Sequence, residues 1–407
     1  MILAFLFSAT LYLARWNTSN FWSDTAHFIQ VYRSTDNATT WQFLANVGHN
    51  GTGYITSDFG LGITYDVNTG YLYLIALCHY YEHTAFVGTE AFVSTNGGFT
   101  WQSIHDFGVY YTYSTYDYAT AGMAYDPFGN RLFCYFFRES PLNITVQMST
   151  DGGFTWNQRS TLPAGSGTDL EGEMLVGPEG ILWIADWFSN YPVCYRSTDG
   201  GVNWLSSNIS TENGLSWSAR SVAIAYLQPY LFALTWGTGS SAKIYRSSDL
   251  GASWQYLSTV VSSYASEDGC CAMTSQCGLL FAVFWDASRQ CAVYRSSDWG
   301  ATWQYVSSIP RSEPWYAPAS AVSITTDRPP LAFEEEETGP EETFVVAPTG
   351  EGLILLAPGN ELPVQIYGPD GRFVSEVLVE GRAEVRLNPG IYYLRSSLGN
   401  RVGVVVK

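Results

Sequence analysis

The stretch RSTDGGVNW, Arg196 to Trp204, is written six times along the chain in near-copies. Aligned on their serines, the phrases are STDNATTW from Ser34, STNGGFTW from Ser94, STDGGFTW from Ser149, STDGGVNW from Ser197, SSDLGASW from Ser247 and SSDWGATW from Ser296. The intervals between them are 60, 55, 48, 50 and 49 residues. Repetition at that period marks a propeller or a solenoid. An alternating strand pattern precedes each phrase, as in Ala292-Val293-Tyr294-Arg295, and another follows it, as in Trp303-Gln304-Tyr305-Val306. Each phrase is therefore a hairpin connection.

The residue types suit that role. An aspartate early in a turn accepts hydrogen bonds from backbone N–H groups ahead of it. Glycine supplies positive φ without a Cβ clash. The tryptophan opens the next strand and offers a large face to a neighbouring sheet. Two copies depart from the pattern: Asn96 stands for the aspartate and can still accept from backbone, while Ala38 stands for the glycine and implies a strained or altered turn.

Upstream of each phrase lies an apolar strand, a short turn and a second apolar strand. GITYDVNTGYLYLIAL (Gly62–Leu77), GMAYDPFGNRLFCYFF (Gly122–Phe137) and SVAIAYLQPYLFALTW (Ser221–Trp236) show it. Each unit is then four antiparallel strands, A to D, with the phrase in the C–D turn. Radial repetition of such sheets is a β-propeller, and six units predict six blades in an all-β fold. The phrases resemble the Asp-box, or bacterial neuraminidase repeat, of sialidase-like propellers. The resemblance covers roughly residues 1–333. It implies a structural role for Asp36, Asn96, Asp151, Asp199, Asp249 and Asp298 and for Trp41, Trp101, Trp156, Trp204, Trp254 and Trp303. Arg33, Arg196, Arg246 and Arg295 beside the boxes read as scaffold too. Fold alone does not carry the sialidase activity.

Composition bounds the partners. The 407 residues carry a net charge of −18, with 14% charged and 16% aromatic residues and only two lysines, Lys243 and Lys407. Such an acidic surface repels phosphate backbones and anionic lipid headgroups, which excludes nucleic-acid binding and electrostatic membrane docking. No apolar run is long enough to span a bilayer. Low charge with abundant Ser, Thr, Gly, Tyr and Trp reads as a secreted or cell-surface protein. Of seven cysteines, Cys78, Cys134, Cys194 and Cys291 sit in apolar runs as buried thiols; Cys270, Cys271 and Cys277 are close enough for a local disulfide. Neither the cysteines nor the five histidines have metal-site spacing, so no metal and no cofactor are expected.

The two ends raise separate questions. MILAFLFSATLYLARW lacks the basic start of a signal peptide and matches the A-turn-B pattern, with ATLYLARW answering GYLYLIAL, so it reads as strands of the first blade. AVSITTDRPPLAF (Ala321–Phe333) is a half-unit without a phrase after it. It either closes the ring by joining the first blade or begins a seventh. An acidic linker follows at 334–343, then short strands divided by Pro-Asp-Gly, Glu-Gly, Asn-Pro-Gly and Gly-Asn turns at 344–407. These read as a small β-sandwich. VQIYGPDGRFV, LNPGIYYLRS and the final VGVVVK resemble the C-terminal sorting domain of type IX secretion substrates. That resemblance implies the secretion machinery as a partner and an outer-surface or released product.

With the phrases on one face, recognition falls to the other. Its loops include WNTSNFWSD (Trp16–Asp24), HYYEH (His79–His83), GVYYTYSTYDYAT (Gly108–Thr120), GTDLEGE (Gly167–Glu173), DWFSNY (Asp186–Tyr191), GLSWSAR (Gly214–Arg220) and PRSEPWYAP (Pro310–Pro318). Exposed aromatics stack on the apolar faces of sugars, and Trp22, Tyr81, Tyr111, Trp187, Trp217 and Trp315 are the candidates. Sialidase resemblance implies three arginines for a substrate carboxylate, a tyrosine nucleophile with its glutamate, and an acid/base aspartate. The family's Arg-Ile-Pro motif is absent, and Arg15 of the first blade lies inside a strand. Arg138, Arg220 and Arg311 approach the mouth; Glu171, Glu173 and Asp186 lead the carboxylates, with Asp24, Glu82 and Glu267 behind them. No spacing singles out a catalytic pair. Three readings stay open: a propeller that binds glycans or another extracellular partner, a glycoside hydrolase of exo-sialidase type with a diverged site, and a structural or adhesive surface protein.

Overall fold

The computed structural model describes residues 10–17, 28–48, 60–80, 86–112, 120–138, 143–163, 170–188, 191–210, 220–237, 241–262, 270–276, 278–285, 290–310, 321–327, 345–349, 352–367, 373–386, 390–396 and 401–406. Strands β1 (Leu11–Asn17), β2 (Phe28–Ser34) and β3 (Gln42–Val47) belong to the first blade. The second is β4 (Leu61–Tyr65), β5 (Leu72–Tyr80), β6 (Phe86–Ser94) and β7 (Gln102–Thr112). The third is β8 (Ala121–Asp126), β9 (Arg131–Arg138), β10 (Asn143–Ser149) and β11 (Asn157–Pro163). A two-residue strand, β12 (Leu170–Glu171), precedes the fourth blade, β13 (Glu173–Val176), β14 (Leu182–Phe188), β15 (Tyr191–Ser197) and β16 (Leu205–Asn208). The fifth is β17 (Arg220–Leu227), β18 (Tyr230–Gly237), β19 (Ala242–Ser247) and β20 (Gln255–Val261). The sixth is β21 (Cys271–Gln276), β22 (Leu279–Trp285), β23 (Cys291–Ser296) and β24 (Gln304–Ile309), and β25 (Val322–Thr326) follows it.

Strand β25 settles how the ring closes. It pairs antiparallel with β1, Leu11 opposite Thr326 and Arg15 opposite Val322, so the first sheet runs β25-β1-β2-β3. The half-unit at Ala321 thus completes the first blade and starts no seventh. This corrects the reading of the first residues as that blade's A strand: the place beside β1 is taken by a strand from more than 300 residues downstream, and β1 itself is strand B. The junction is fastened at its corner, where the Thr10 N–H donates to Asp327 Oδ1 at 2.9 Å and the Asp327 N–H to the Thr10 carbonyl at 3.0 Å. The innermost strands touch in a closed circuit, β4 to β8, β13, β17, β21, β25 and back to β4. The fold is an all-β, six-bladed propeller.

The core lies between the sheets. B strands such as RLFCYFFR and LLFAVFW are apolar on both faces because each face meets another blade. Val31, Leu74 and Phe92 share one cluster between the first two blades; Trp183, Ile224 and Leu231 share another between the fourth and fifth.

Each repeated turn is held by its own serine and acid. In the fifth blade Ser247 Oγ donates to Asp249 Oδ1 (2.7 Å) and accepts the Gly251 N–H (2.8 Å), while the same carboxylate accepts the Ser253 N–H and hydroxyl. Ala38 takes the glycine's place at φ +67° and still donates to Ser34 Oγ at 3.0 Å, so the turn is kept and the strain falls on the alanine backbone. Asn96 accepts the Thr100 N–H through Oδ1 and donates to the Thr100 hydroxyl through Nδ2. The tryptophans also stitch blades together. Trp41, Trp204, Trp254 and Trp303 donate from Nε1 to Ser307, Ser160, Ser207 and Ser258 of the preceding blade. Those serines in turn donate to the carbonyls of Ala38, Gly201, Gly251 and Gly300. At the equivalent places His105 bridges to the Phe154 carbonyl, and Ala45 has no hydroxyl to offer.

Cys134, Cys194, Cys270, Cys271 and Cys291 are buried thiols outside any disulfide, so Cys270 and Cys271 are not in the local disulfide; Cys277 lies outside the described residues. By contacts the chain divides into two units, the second of them Leu331–Lys407 with Pro127–Gly129. The acidic linker at 334–343 lies outside the described residues. In the C-terminal unit, β26 (Val345–Thr349), β27 (Gly352–Tyr367), β28 (Phe373–Arg386), β29 (Gly390–Ser396) and β30 (Arg401–Val406) form one hydrogen-bonded network. Strand β27 changes partner along its length, β26 beside its first half and β29 beside its second, with β28 running along both.

Candidate functional site at the channel mouth

In a four-stranded meander the A–B and C–D turns share one end, and the B–C and D–A connections share the other. The repeated turns therefore occupy one face, and the candidate loops open on the opposite one. Trp22, Tyr81, Trp217, Trp315 and Arg311 lie outside the described residues, as do Asp24, Glu82 and Glu267. Tyr111, Glu171 and Arg220 are placed by their backbone, in β7, β12 and β17. Trp187 is a correction. It is 1% exposed and packs with Ala185 and Val222 between the fourth and fifth blades, so its indole belongs to the core and not to a sugar-stacking surface. A buried B strand has an apolar partner on both faces, which the sequence of one loop does not reveal.

The mouth end of the third to fifth blades brings several candidates together. Strand β12 leaves the third blade yet pairs parallel with β17, Leu170 opposite Arg220 and Glu171 opposite Ser221. It covers the inner edge of the fifth blade and sets Glu171 one register step from Arg220. Gly172 then turns the chain into β13. A Cβ there would run into the Ala185 carbonyl and the Tyr135 hydroxyl, so only glycine fits. Its N–H donates to Thr120 Oγ1 at 3.1 Å, and Thr120 Oγ1 lies 3.0 Å from Tyr135 Oη. Thr120, Tyr135 and Gly172 were not singled out by sequence; the glycine between two glutamates in LEGE was the available signal.

Two carboxylates flank this turn and serve different seams. Asp186 is buried, its Oδ1 accepting the Trp187 N–H at 2.7 Å. Burial pushes its pKa up to about 7 against the opposing pull of that N–H and the Thr120 hydroxyl. Glu173 Oε2 accepts the N–H groups of Ile224 at 3.0 Å and Met273 at 3.2 Å, which ties the fourth blade to the fifth and sixth. Burial pushes its pKa up to about 8, the two N–H groups pulling the other way. Glu173 opposes Ala185 in the β13–β14 ladder, one position from Asp186. Successive residues of a strand point to opposite faces, so the two carboxylates project away from each other and form no acid/nucleophile pair. Arg138 ends β9 at the same end, half-buried and opposite Asn143.

Arg15 is not at the mouth's surface. It is 1% exposed and donates to the carbonyls of Ile309 (3.2 Å) and Pro310 (2.9 Å), to Gln30 Oε1 (3.1 Å) and to Tyr32 Oη (3.0 Å). The rings of Tyr32 and Trp285 lie within 5.1 and 5.6 Å of its guanidinium. It clamps the sixth blade to the first. Among the described residues no group of His, Cys, Asp and Glu is arranged to hold a metal ion. No helix among them is long and apolar enough to cross a membrane.

No family model matches the chain, and no curated protein sequence is similar to it. Solved structures do resemble it. The α-L-arabinanase of Penicillium chrysogenum complexed with arabinobiose aligns at 13% identity over 68% of this chain and 85% of its own, TM-score 0.52. The GH93 α-L-arabinofuranosidase of Fusarium graminearum, also with arabinobiose, aligns at 13% over 70% and 89%, TM-score 0.52. A microbial sialidase, Hz136, aligns at 13% over 75% and 83%, TM-score 0.44. At such identities the likeness is one of fold: this chain shares the propeller architecture of the arabinanase and the arabinofuranosidase.

Proposed function

We propose that the protein is a secreted, sialidase-like propeller that binds glycans at the channel mouth opposite its repeated turns. The carrying observation is the β12–β17 pairing, which brings the backbone positions of Glu171 and Arg220 to the mouth-end edge of the innermost strands. By strand alternation the two positions lie on opposite faces of that pairing, so the edge carries an acidic position on one face and a basic one on the other, polar residue types of the kind that orient a ligand in a concave site. The glycosidase fold neighbours lend the ligand class. Binding is favoured over hydrolysis because Glu173 and Asp186 are committed to separate blade seams and leave no paired carboxylates between them.

The repeated turns are Asp-boxes on this reading, and the C-terminal strands are the β-sandwich of a type IX sorting domain that delivers the propeller to the cell surface or medium. A glycan array with the full chain tests the mouth. Saturable binding should fall at least tenfold in Glu171→Gln and Arg220→Ala. Glycan hydrolysis that disappears in Glu171→Gln would replace binding with the hydrolase reading; no saturable binding to any glycan would leave the adhesive spacer.

A further inference from the structure

The outer strands of the six blades are not equivalent. Two residues after the phrase tryptophan, the third strand from the centre faces a partner on the outermost one. In the fifth, sixth and first blades that pair is Tyr245–Tyr256, Tyr294–Tyr305 and Tyr32–Phe43. In the second, third and fourth it is Phe92–Ser103, Gln147–Gln158 and Tyr195–Ser206. The three blades with aromatic pairs are consecutive around the ring, because β25 joins the sixth to the first. Their outermost rings are turned to solvent: Phe43 is 48% exposed, Tyr256 55% and Tyr305 56%. Each is braced edge-on by its strand partner, with centroids 5.6 to 6.0 Å apart and planes at 69° to 76°.

Bracing holds an exposed ring in one orientation, so little freedom is lost when something stacks on it. The surroundings say what that something is. Strands β3, β20 and β24 (QFLANV, QYLSTVV, QYVSSI) hold no charged residue, in a chain whose net charge is −18. Trp254 and Trp303 face the preceding blade, so strand alternation turns the exposed Gln255 and Gln304 toward the next one. Gln255 thereby shares a seam with Tyr305, and Gln304 shares one with Phe43. A braced ring with a neutral amide beside it matches the apolar face and the hydroxyls of an uncharged sugar. These strands bring no charge of their own, and the cations opposite their glutamines are engaged, Arg33 with Gln42 and the Phe99 ring, Arg246 with the Tyr230 ring and Arg295 with the Asn37 carbonyl, which leaves a neutral chain as the match.

We infer that the rim of the fifth, sixth and first blades is a second carbohydrate surface, for a neutral polysaccharide lying across successive seams. It stands on the rings and does not depend on the mouth. Affinity electrophoresis of the full chain through gels containing xyloglucan, arabinan or mixed-linkage β-glucan tests it, with polygalacturonate as the charged control. Retardation is expected in at least one neutral gel, unchanged between 50 mM and 500 mM salt. The Phe43→Ala/Tyr256→Ala/Tyr305→Ala variant should lose at least tenfold in apparent affinity, and Tyr256→Phe/Tyr305→Phe should stay within twofold of the parent. Circular dichroism checks the fold, and the three single alanine variants, each expected to lose severalfold, are read if the triple one is unfolded. Glu171→Gln should keep the retardation, which separates failure of the rim from failure of the mouth. No retardation in any neutral gel overturns the inference, as does retardation that survives loss of the rings. So does sedimentation showing that the rings hold a second copy of the chain.

Discussion

Glu173 holds a proton at pH values where the unfolded chain has released it. Its pKa rises from an ordinary 4.5 to about 8 on folding, so its stabilising contribution is full below 4.5 and is lost as pH rises to about 8. Asp186, pushed up from 3.8 to about 7, acts in the same direction over a lower window. The thermal midpoint should therefore fall between pH 5 and pH 8, as the free energy of unfolding drops by an amount on the order of a few kcal/mol. Glu173→Gln, which keeps an oxygen for the Ile224 and Met273 N–H groups, should flatten that slope and exceed the parent at pH 8. An equally steep slope in the variant would refute the burial argument. Arg15 is the opposite case, a guanidinium held by neutral groups. Arg15→Met strands the Ile309 and Pro310 carbonyls and should cost about 3 kcal/mol in denaturant unfolding. Arg15→Lys should not restore it, because one ammonium cannot reach four acceptors arranged for a fork.

At the level of the element, the repeated turn is both a corner and a fastener between blades. The serine that receives the indole N–H and donates to the next turn is present at Ser160, Ser207, Ser258 and Ser307. Ala45 holds the corresponding register position in the first blade, opposite Val31 as Ser258 is opposite Ile244. Ala45→Ser should add the missing bond and raise stability by ~0.5–1 kcal/mol, and Ser307→Ala should lower it by about as much. Chemical denaturation of the two variants reads both, and equal midpoints would reduce these serines to bystanders.

For the whole molecule, closure rests on one short strand. A chain ending at residue 320 lacks β25, exposing the inner edge of β1 and breaking the circuit of innermost strands. It should show no cooperative thermal transition. A chain ending at residue 330 keeps the strand and its Asp327 corner, and its propeller transition should lie within a few degrees of the full chain. Scanning calorimetry of the two truncations decides the matter; a cooperative transition in the shorter one would mean that the ring holds without its clasp.

The sequence by itself determined the repeating unit, the strand order within it and the end given to the turns. Those features are written in local chemistry: a serine, an acid and a glycine within five residues make the corner, and alternation makes the strands on either side. Tertiary structure decided what depends on residues far apart. Val322–Thr326 pairs with Leu11–Arg15 only because both inner edges need a hydrogen-bonding partner, a need that no local pattern at either end expresses. Trp187 read as a sugar platform until the neighbouring blade covered it, and Glu173 and Asp186, two of the leading carboxylates, are turned by the pleat to opposite seams. Short-range spacing sets which way a residue points; which surface lies there is set by the sheet packed against it.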